Sequence, residues 1–583
     1  DIKLFPFLSF KSSLGLDISR TSDESFLPKY YLNGTDQVTN AKVGRGVGQR
    51  DYWVFENYLS YNDKFGDHTV STMVGTSAEK ERYETVNASK EGLVNNDANQ
   101  QIINAATKNP AASGSVSYHT MNSYFGRVFY SYADKYMITA NIRWDGSSNF
   151  ADKHRWGVFP SVSGGWNFRE ESFIKDVVGD WFSQGKFRAA WGEIGNQNIS
   201  SGAYLTRYGN STYYLLGNSM TPWLSGGRTN VGNPDLRWET TRQLDFGLDL
   251  AFFNSALKFN IDYFDRKTSD MLVQVPMPAA IGLPNTPWSN AGSVKNRGFE
   301  FVLDYHGKIG NDFSYNIAGN ISTYKNKVLS LGGGTNIPGK THLGNQVNTM
   351  IEPGKPIGYF YGYKMDGVFQ TQEEINNYRG GPDNTIIMPT AEPGDLKFVD
   401  LNGDGKLGEE DRTMIGNPHP DFTFGLTLSG EYKGFDLSMF FQGSVGNDIL
   451  NILKYDIYSG TGWYNAPKDI FDKFWTGPGS TNENFAISAN SRDNLTMSEW
   501  YIENGSYVRL KNVTLGYTFL KQWVQKLTVQ NLRLFVAAQN LFTITSYSGL
   551  DPELGNSNPA FMGIDMGWYP QARSFMVGLS LKL

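Results

Sequence analysis

Three observations predict an all-β fold of the transmembrane kind, an antiparallel β-barrel with long extracellular loops. Short segments alternate apolar and polar residues with period two, the links between them are alternately tight and long, and the polar side of the segments carries charge. Period two marks a strand with two unlike faces. Tight turns on one rim and long loops on the other are the asymmetry of outer-membrane barrels. Charge on the inner face would be costly in a dry sandwich core, but suits a water-filled lumen. Composition agrees: 63 glycines and 14% aromatics in 583 residues, spread over short segments, are a signature of large antiparallel barrels.

Early in the chain, Asn62–Asp67 and Ala133–Lys135 are tight links, whereas Thr21–Arg50 and Glu81–Ser117 are long and polar. Arg169 to Phe182 (REESFIKDVVGDWF) reads as a tight-side link holding a short amphipathic helix, with Phe173, Val177 and Trp181 at helical spacing. The long link Gly195–Trp238 leads to the clearest strand, Thr241 to Phe253. There Leu244, Phe246, Leu248, Leu250 and Phe252 alternate with Gln243, Asp245, Gly247, Asp249 and Ala251. After the turn Asn254-Ser255, Leu257, Phe259, Ile261 and Tyr263 alternate with Lys258, Asn260 and Asp262. Phe299, Phe301, Leu303 and Tyr305 alternate with Glu300 and Asp304, and a tight link follows at Gly307–Asp312.

The long link Lys325–Asp421 precedes the alternation of Phe422, Phe424, Leu426 and Leu428. Lys433-Gly434 turns the chain into Phe435, Leu437, Met439 and Phe441, and Gly446–Glu499 is long again. From Tyr507 to Phe519 the parity breaks: Val508 and Leu510 share one side, but Val513, Leu515, Tyr517 and Phe519 need a bulge near Lys511-Asn512 to join them. Lys521 to Lys526 suggests a second short helix, and Phe575, Val577, Leu579, Leu581 and Leu583 form the last alternation. About sixteen strands result at roughly 9–11 residues per span.

Other classes recede. A net charge of −6 without a basic run argues against nucleic acid as a partner. The absence of cysteine excludes disulfides, thiolate metal sites and a thiol nucleophile. No apolar run reaches the roughly 20 residues of a membrane helix. No leader precedes DIKLFPFLSF, which reads as mature structure and suggests a processed or truncated chain. The six histidines show no paired or HExxH spacing, and the pairs Glu409-Glu410 and Glu170-Glu171 read as solvated charge, so no enzyme is expected.

One motif carries chemistry. Asp400 to Asp411 (DLNGDGKLGEED) has the spacing of a calcium loop. Asp400, Asn402 and Asp404 stand at positions one, three and five, and Gly405 at the sharp turn. Lys406 can offer its backbone carbonyl, and Asp411 closes the loop where a longer Glu is usual. No flanking helices are evident, so the motif reads as a structural Ca2+ clip on an external loop, in a calcium-loop-like insertion over 394–418. Aromatic residues of the long links, Tyr213, Tyr214, Trp223, Trp463 and Tyr464 above all, with Tyr204, Tyr208 and Tyr458, are candidates for stacking on sugar rings.

Seven stretches carry a family resemblance. They are IRWDGSSNFADKHRWGVFPSVSGGWNF, FRAAWGEIGNQNI, NPDLRWETTRQLDFGLDL, PIGYFYGYKMDGVFQ, GDLKFVDLNGDGKLGEEDRTMIGNPHPDF, NGSYVRLKNVTLGYTF and NLFTITSYSGLDPE. In this order, spanning nearly the whole chain, they resemble the barrel of a SusC/RagA-type TonB-dependent transporter of the Bacteroidetes outer membrane. The resemblance implies a 22-stranded barrel, of which about the last sixteen strands lie on residues 1–583; the plug, the TonB box and the first strands lie outside it. It also implies a SusD-like surface lipoprotein as a lid, energy from TonB–ExbB–ExbD, and oligosaccharide or oligopeptide as cargo. The LSLKL ending departs from the aromatic last residue common in such barrels. Oligosaccharide import across the bacterial outer membrane is the expected function. Oligopeptide import by the same machinery, or a surface calcium-dependent carbohydrate-binding protein, are the alternatives; apolar residues on the outer strand faces would exclude the last.

Overall fold

The computed structural model describes all residues except 216–221, 275–285, 333–335, 341–345, 459–464, 488–492, 525–528, 557 and 583. The chain divides into two compact units. One comprises Asp1–Gly165, Ala190–Arg242 and Asp270–Ala291, the other Trp166–Ala189, Gln243–Ser269 and Gly292–Leu583. No helix among the described residues is long and apolar enough to cross a membrane.

In the first unit the strands Leu8–Leu27, Ala41–Phe65, His68–Leu93, Lys108–Tyr132 and Tyr136–Ser147 pair antiparallel in sequence order. Their odd and even residues separate as the alternation requires. Leu14, Leu16 and Ile18 are more than 60% exposed, and the first two stand opposite Phe55 and Trp53 on the neighbouring strand. The other face is charged: Arg50 reaches Asp17 at 2.6 Å and Glu81 at 3.0 Å, and the Tyr52 hydroxyl donates to Glu79 at 2.7 Å. Tyr124, Trp144 and Trp156 form a ring cluster on the apolar face, with centroids 5.1–6.0 Å apart.

Two expected loops are corrected here. Thr21–Arg50 and Glu81–Ser117 are mostly strand: the ladder continues through Ser22 opposite Val47 and Ser25 opposite Gly44 to Leu27 opposite Lys42, and the next hairpin pairs as far as Glu91 opposite Lys108. Past Ile18 the apolar face gives out, so period two has no hydrophobic row to reveal it, although backbone pairing persists. Over Gly46 the Asp23 and Asn87 side chains close in, and a Cβ there would meet their oxygens. Between Asn196 and Glu239 the expected long link contains a hairpin, Arg207–Leu215 against Pro222–Asn230.

In the second unit Leu257–Ser269, Ser293–Ile309, Phe313–Ser330, Phe422–Tyr432, Phe435–Val445, Tyr507–Thr518, Asn531–Thr545 and Ser574–Lys582 pair in the same meander. The expected apolar row is exposed, with Phe299 at 45% and Val577 at 74%. The charged face is paired internally: the Arg188 guanidinium forks to Asp249 at 2.8 Å and Asp262 at 2.9 Å. The turn Lys433-Gly434 has φ of +47° and +92°, the left-handed pair that suits strand twist in a two-residue hairpin. The bulge is where the parity break requires it. Phe440 faces Asn512 and Phe441 faces Leu510, so Lys511 is the extra residue. The short helices also form, at Ser172–Val178 and Lys521–Val524.

The long connections of this unit are not separate loops. Phe360, Phe369, Leu396 and Phe398 from the first, Leu450, Phe474, Phe485, Trp500 and Tyr501 from the second, and Ile564 from the third pack into one buried apolar core. Short strands lace them together: Asp448–Asn451 pairs antiparallel with Ile502–Asn504 and parallel with Ile564–Asp565.

Candidate functional site

The Asp400–Asp411 loop runs from the strand Leu396–Phe398 to a single 3-10 turn, Glu409–Asp411, and the strand Arg412–Gly416. Its acidic side chains hold its own backbone. Asp400 accepts the N–H groups of Gly403 at 2.7 Å and Gly405 at 2.8 Å. Asn402 accepts from Asp404, and Asp404 from Lys406. Asp411, fully buried, accepts from Leu401 and Asn402 through one oxygen and from Gly408 through the other. Gly405 turns with φ +85° against the Gly380 carbonyl, and the Thr385 hydroxyl donates to its carbonyl at 2.8 Å. The donors are hard oxygens; the Asp400 and Asp404 oxygens each accept at most one N–H and keep a lone pair, whereas one Asp411 oxygen already accepts two. Among the described residues, no three His, Cys, Asp or Glu side chains gather into a metal-holding group by themselves. The N–H bonds hold the loop's shape, and an ion there would also need the amide of Asn402 and a backbone carbonyl.

The aromatic candidates separate. Tyr213, Tyr214 and Trp223 lie on the paired hairpin, Tyr214 directly opposite Trp223; their side chains, and Trp463 and Tyr464 altogether, lie outside the described residues. Tyr204 packs on the buried cluster of Phe150, Leu236 and Trp238, whereas Tyr208 is exposed. Tyr458 belongs to the loop core, its ring 4.7 Å from Phe474 and its hydroxyl donating to Asp469 at 3.1 Å. Sequence reasoning missed Met566, Trp568 and Tyr569, of which Tyr569 is 91% exposed. Their tip is held by buried Asp565, which accepts the N–H groups of Gly567 and Trp568 and the hydroxyl of Tyr547. The run GIDMGWYP was the available signal, since apolar residues between glycine and proline have no strand to serve.

Two polar centres tie the loop core to the strands. Arg509, 3% exposed, reaches Asp551 at 2.5 Å and Glu553 at 2.6 Å, and Lys511 reaches Glu553 at 2.7 Å. The bulge keeps Arg509, Lys511, Asn512 and Thr514 on one side while the apolar residues change parity. His419, 7% exposed, shares a hydrogen bond with the Tyr324 hydroxyl at 3.1 Å and another with the Ile357 carbonyl at 3.0 Å. Neutral imidazole satisfies both, donating to the carbonyl and accepting from the hydroxyl. Burial pushes the His419 pKa down, against the raising effect of its bond to the Ile357 carbonyl. The unfolded chain then binds the extra proton first, so the stability of the neutral form is present above about pH 6.5 and is lost as pH falls below it. Thermal midpoints are expected to fall between about pH 7.5 and pH 5, and to fall less in His419→Gln. Equal slopes in the two proteins would remove His419 from this role.

Strands with an exposed apolar face and a charged opposite face, joined by tight turns at one end and packed long connections at the other, define a membrane-spanning β-barrel of the outer-membrane class. Residues 6–541 match the family described as TonB dependent receptor-like, beta-barrel. The chain belongs to that family, whose members are outer-membrane receptors and transporters rather than enzymes. It is 34% identical to TonB-dependent receptor P3 of Formosa agariphila over 599 residues, covering 99% of this chain and 56% of that protein. It is 30% identical to TonB-dependent receptor SusC of Bacteroides thetaiotaomicron, covering 99% of this chain and 54% of that one. Among solved structures, that of the RagAB peptide transporter superposes with a TM-score of 0.84 at 22% identity, over 100% of this chain and 60% of that one. The chain thus spans little more than half the length of the curated relatives it matches.

Proposed function

We propose that this chain is the barrel part of a TonB-dependent importer that carries oligosaccharides across the bacterial outer membrane. The observation that carries the reading is the packed core of the three long connections, which presents a built outer surface above strands with a charged inner face. A SusD-like lipoprotein seated on that surface and a TonB–ExbB–ExbD motor acting through a segment outside residues 1–583 complete the machine. The exposed rings of Tyr208, Trp568 and Tyr569 suit sugar faces, and a relative named SusC at 30% identity supports the same family branch. Oligopeptide cargo is the second reading, favoured by the fold likeness to a protein described as a peptide transporter. Cells expressing the full-length protein with its lipoprotein should accumulate labelled oligosaccharide but not labelled oligopeptide. Removing a stacking ring, Trp568→Ala or Tyr569→Ala, should weaken uptake several-fold, as about 0.5–1.5 kcal/mol per ring implies. Accumulation of peptide alone would reverse the assignment.

The same reading gives the Asp400–Asp411 loop a structural calcium ion. Asp400, Asn402, Asp404 and Asp411 would serve by side chain and Lys406 by its carbonyl; the supporting features are the spacing and the Gly405 turn. Chelation is expected to open residues 394–418 to protease and to leave the strands folded. A cleavage pattern indifferent to chelator and to added calcium would leave the N–H bonds as the only clip.

A further inference from the structure

The link between the strands Trp156–Trp166 and Phe182–Asn196 is a feature that transport does not absorb. It belongs to the tight-turn end: the N–H of Phe253 donates to the Trp181 carbonyl at 2.6 Å, and the N–H of Ser255 to the Ser183 hydroxyl at 3.0 Å. Its helix, Ser172–Val178, leaves Phe173 64% and Val177 82% exposed, and Trp181 and Phe253 beside it are both more than half exposed. So many large apolar side chains in water at a rim ask for a covering phase.

The helix is held rather than loose. Arg169, buried, donates to the carbonyls of Gly179 and Phe182, which tie down the helix C-terminus, and the Glu171 carboxylate accepts the Trp166 indole N–H at 3.2 Å. Ile174 and Val178 are half-buried and set the inward side. At about 100° per residue, Phe173 and Val177 then fall on one flank and Lys175 on the other, while Asp176 points away from the anchored side. An apolar flank and a charged flank at right angles to the anchoring side is the arrangement of a helix lying along a lipid–water boundary. The segment just after the helix joins the membrane-facing row. Trp181 stacks on Phe252 with centroids 5.7 Å apart and planes 13° apart, and Phe252 ends the row begun by Leu244 and Phe246.

We infer that the Ser172–Val178 helix is a foot that rests in the headgroup and upper acyl zone of the leaflet at the tight-turn end, with Phe173, Val177, Trp181 and Phe253 dipped into lipid. It fixes the depth of the barrel wall at that rim. A periplasmic protein covering the same flank is the competing occupant.

Residues 1–583 contain no cysteine, so a single probe can be placed in them once any cysteine elsewhere in the full-length protein has been replaced by serine. Val177→Cys and, on the opposite flank, Lys175→Cys would be introduced into the full-length protein. Each would be labelled with an environment-sensitive fluorophore and reconstituted in nanodiscs with or without brominated acyl chains. Both positions are exposed, and heat modification on gels checks that each variant folds. The Val177 probe should be quenched on the order of two-fold by brominated lipid and shielded from iodide, as expected for a flank about 5–10 Å into the boundary. The Lys175 probe should respond to iodide instead. Iodide quenching of the Val177 probe equal to that of Lys175 overturns the inference. So does shielding from iodide without bromolipid quenching, which would assign the flank to a protein cover.

Discussion

Arg509→Ala is expected to cost about 3–5 kcal/mol and to release the last outer connection from the strands. The guanidinium is 3% exposed between Asp551 and Glu553, and Asp551 is itself almost fully buried. Truncation leaves the Asp551 carboxylate inside the protein without its countercharge, and that uncompensated charge supplies most of the loss. Burial pushes the Asp551 carboxyl up, but the N–H donors of Gln571 and Glu553 and the Arg509 guanidinium together hold it below the usual carboxylate range. Its contribution is therefore complete above the unfolded value of about 3.9 and is lost as pH falls through the lower folded value. Lys511→Met should cost less, about 1–2 kcal/mol, because Lys511 is more exposed and Glu553 keeps Arg509. The double change Arg509→Met with Asp551→Leu should recover part of the loss, since it removes both desolvated charges. Hydrogen exchange across residues 546–573 reads the outcome. Unchanged protection there in Arg509→Ala would show that the connection is held by something else.

Trp500→Ala is expected to unfold the loop core locally at a cost of about 3–5 kcal/mol while the strands stay paired. Trp500 is 6% exposed, with ring centroids of Phe485 and Tyr501 each 4.9 Å away and Tyr458 and Phe474 just beyond 6 Å. Its indole N–H donates to Asn484 at 3.0 Å, and the Lys454 ammonium sits 5.0 Å from the ring centroid. Removal deletes the centre of an aromatic cluster that no neighbouring backbone can collapse to fill. Limited proteolysis should then cut the connections between Val445 and Tyr507 and between Ser330 and Phe422, and leave Phe422–Val445 intact. A single transition in which strands and connections are lost together would show that the core has no stability of its own. Trp500→Phe keeps most of the ring contacts and should cost appreciably less, leaving the connections resistant.

These two sites differ in how far they could be read in advance. The bulge at Lys511 was legible because a strand that switches parity between Leu510 and Val513 must insert one residue or expose its apolar row. The consequence, that Lys511 and Arg509 both meet a carboxylate pair some forty residues later, was not legible, because nothing local links Arg509 to Asp551. The loop core was hidden for a related reason. Its residues come from three connections, in runs too short and irregular to show either helical or strand period, and each connection by itself reads as polar loop. The long ladders of the first unit escaped because their outer halves carry no continuous apolar row; the small buried cluster there draws Ala41 and Val43 from one strand, Leu93 from the next and Ala106 from the link after it.

By itself, then, the amino-acid sequence determined the strands that face lipid, the tight turns between them, the bulge, and the two short turn helices. A bilayer on one side and water on the other writes a period-two code into every spanning strand, and left-handed turns demand particular residues. Only the tertiary structure decided that the long connections form one packed body, that Tyr458 is core while Tyr569 is exposed, and that His419 and Arg509 are the buried ties between that body and the strands. Those facts depend on contacts between residues far apart in the chain, which no local periodicity encodes.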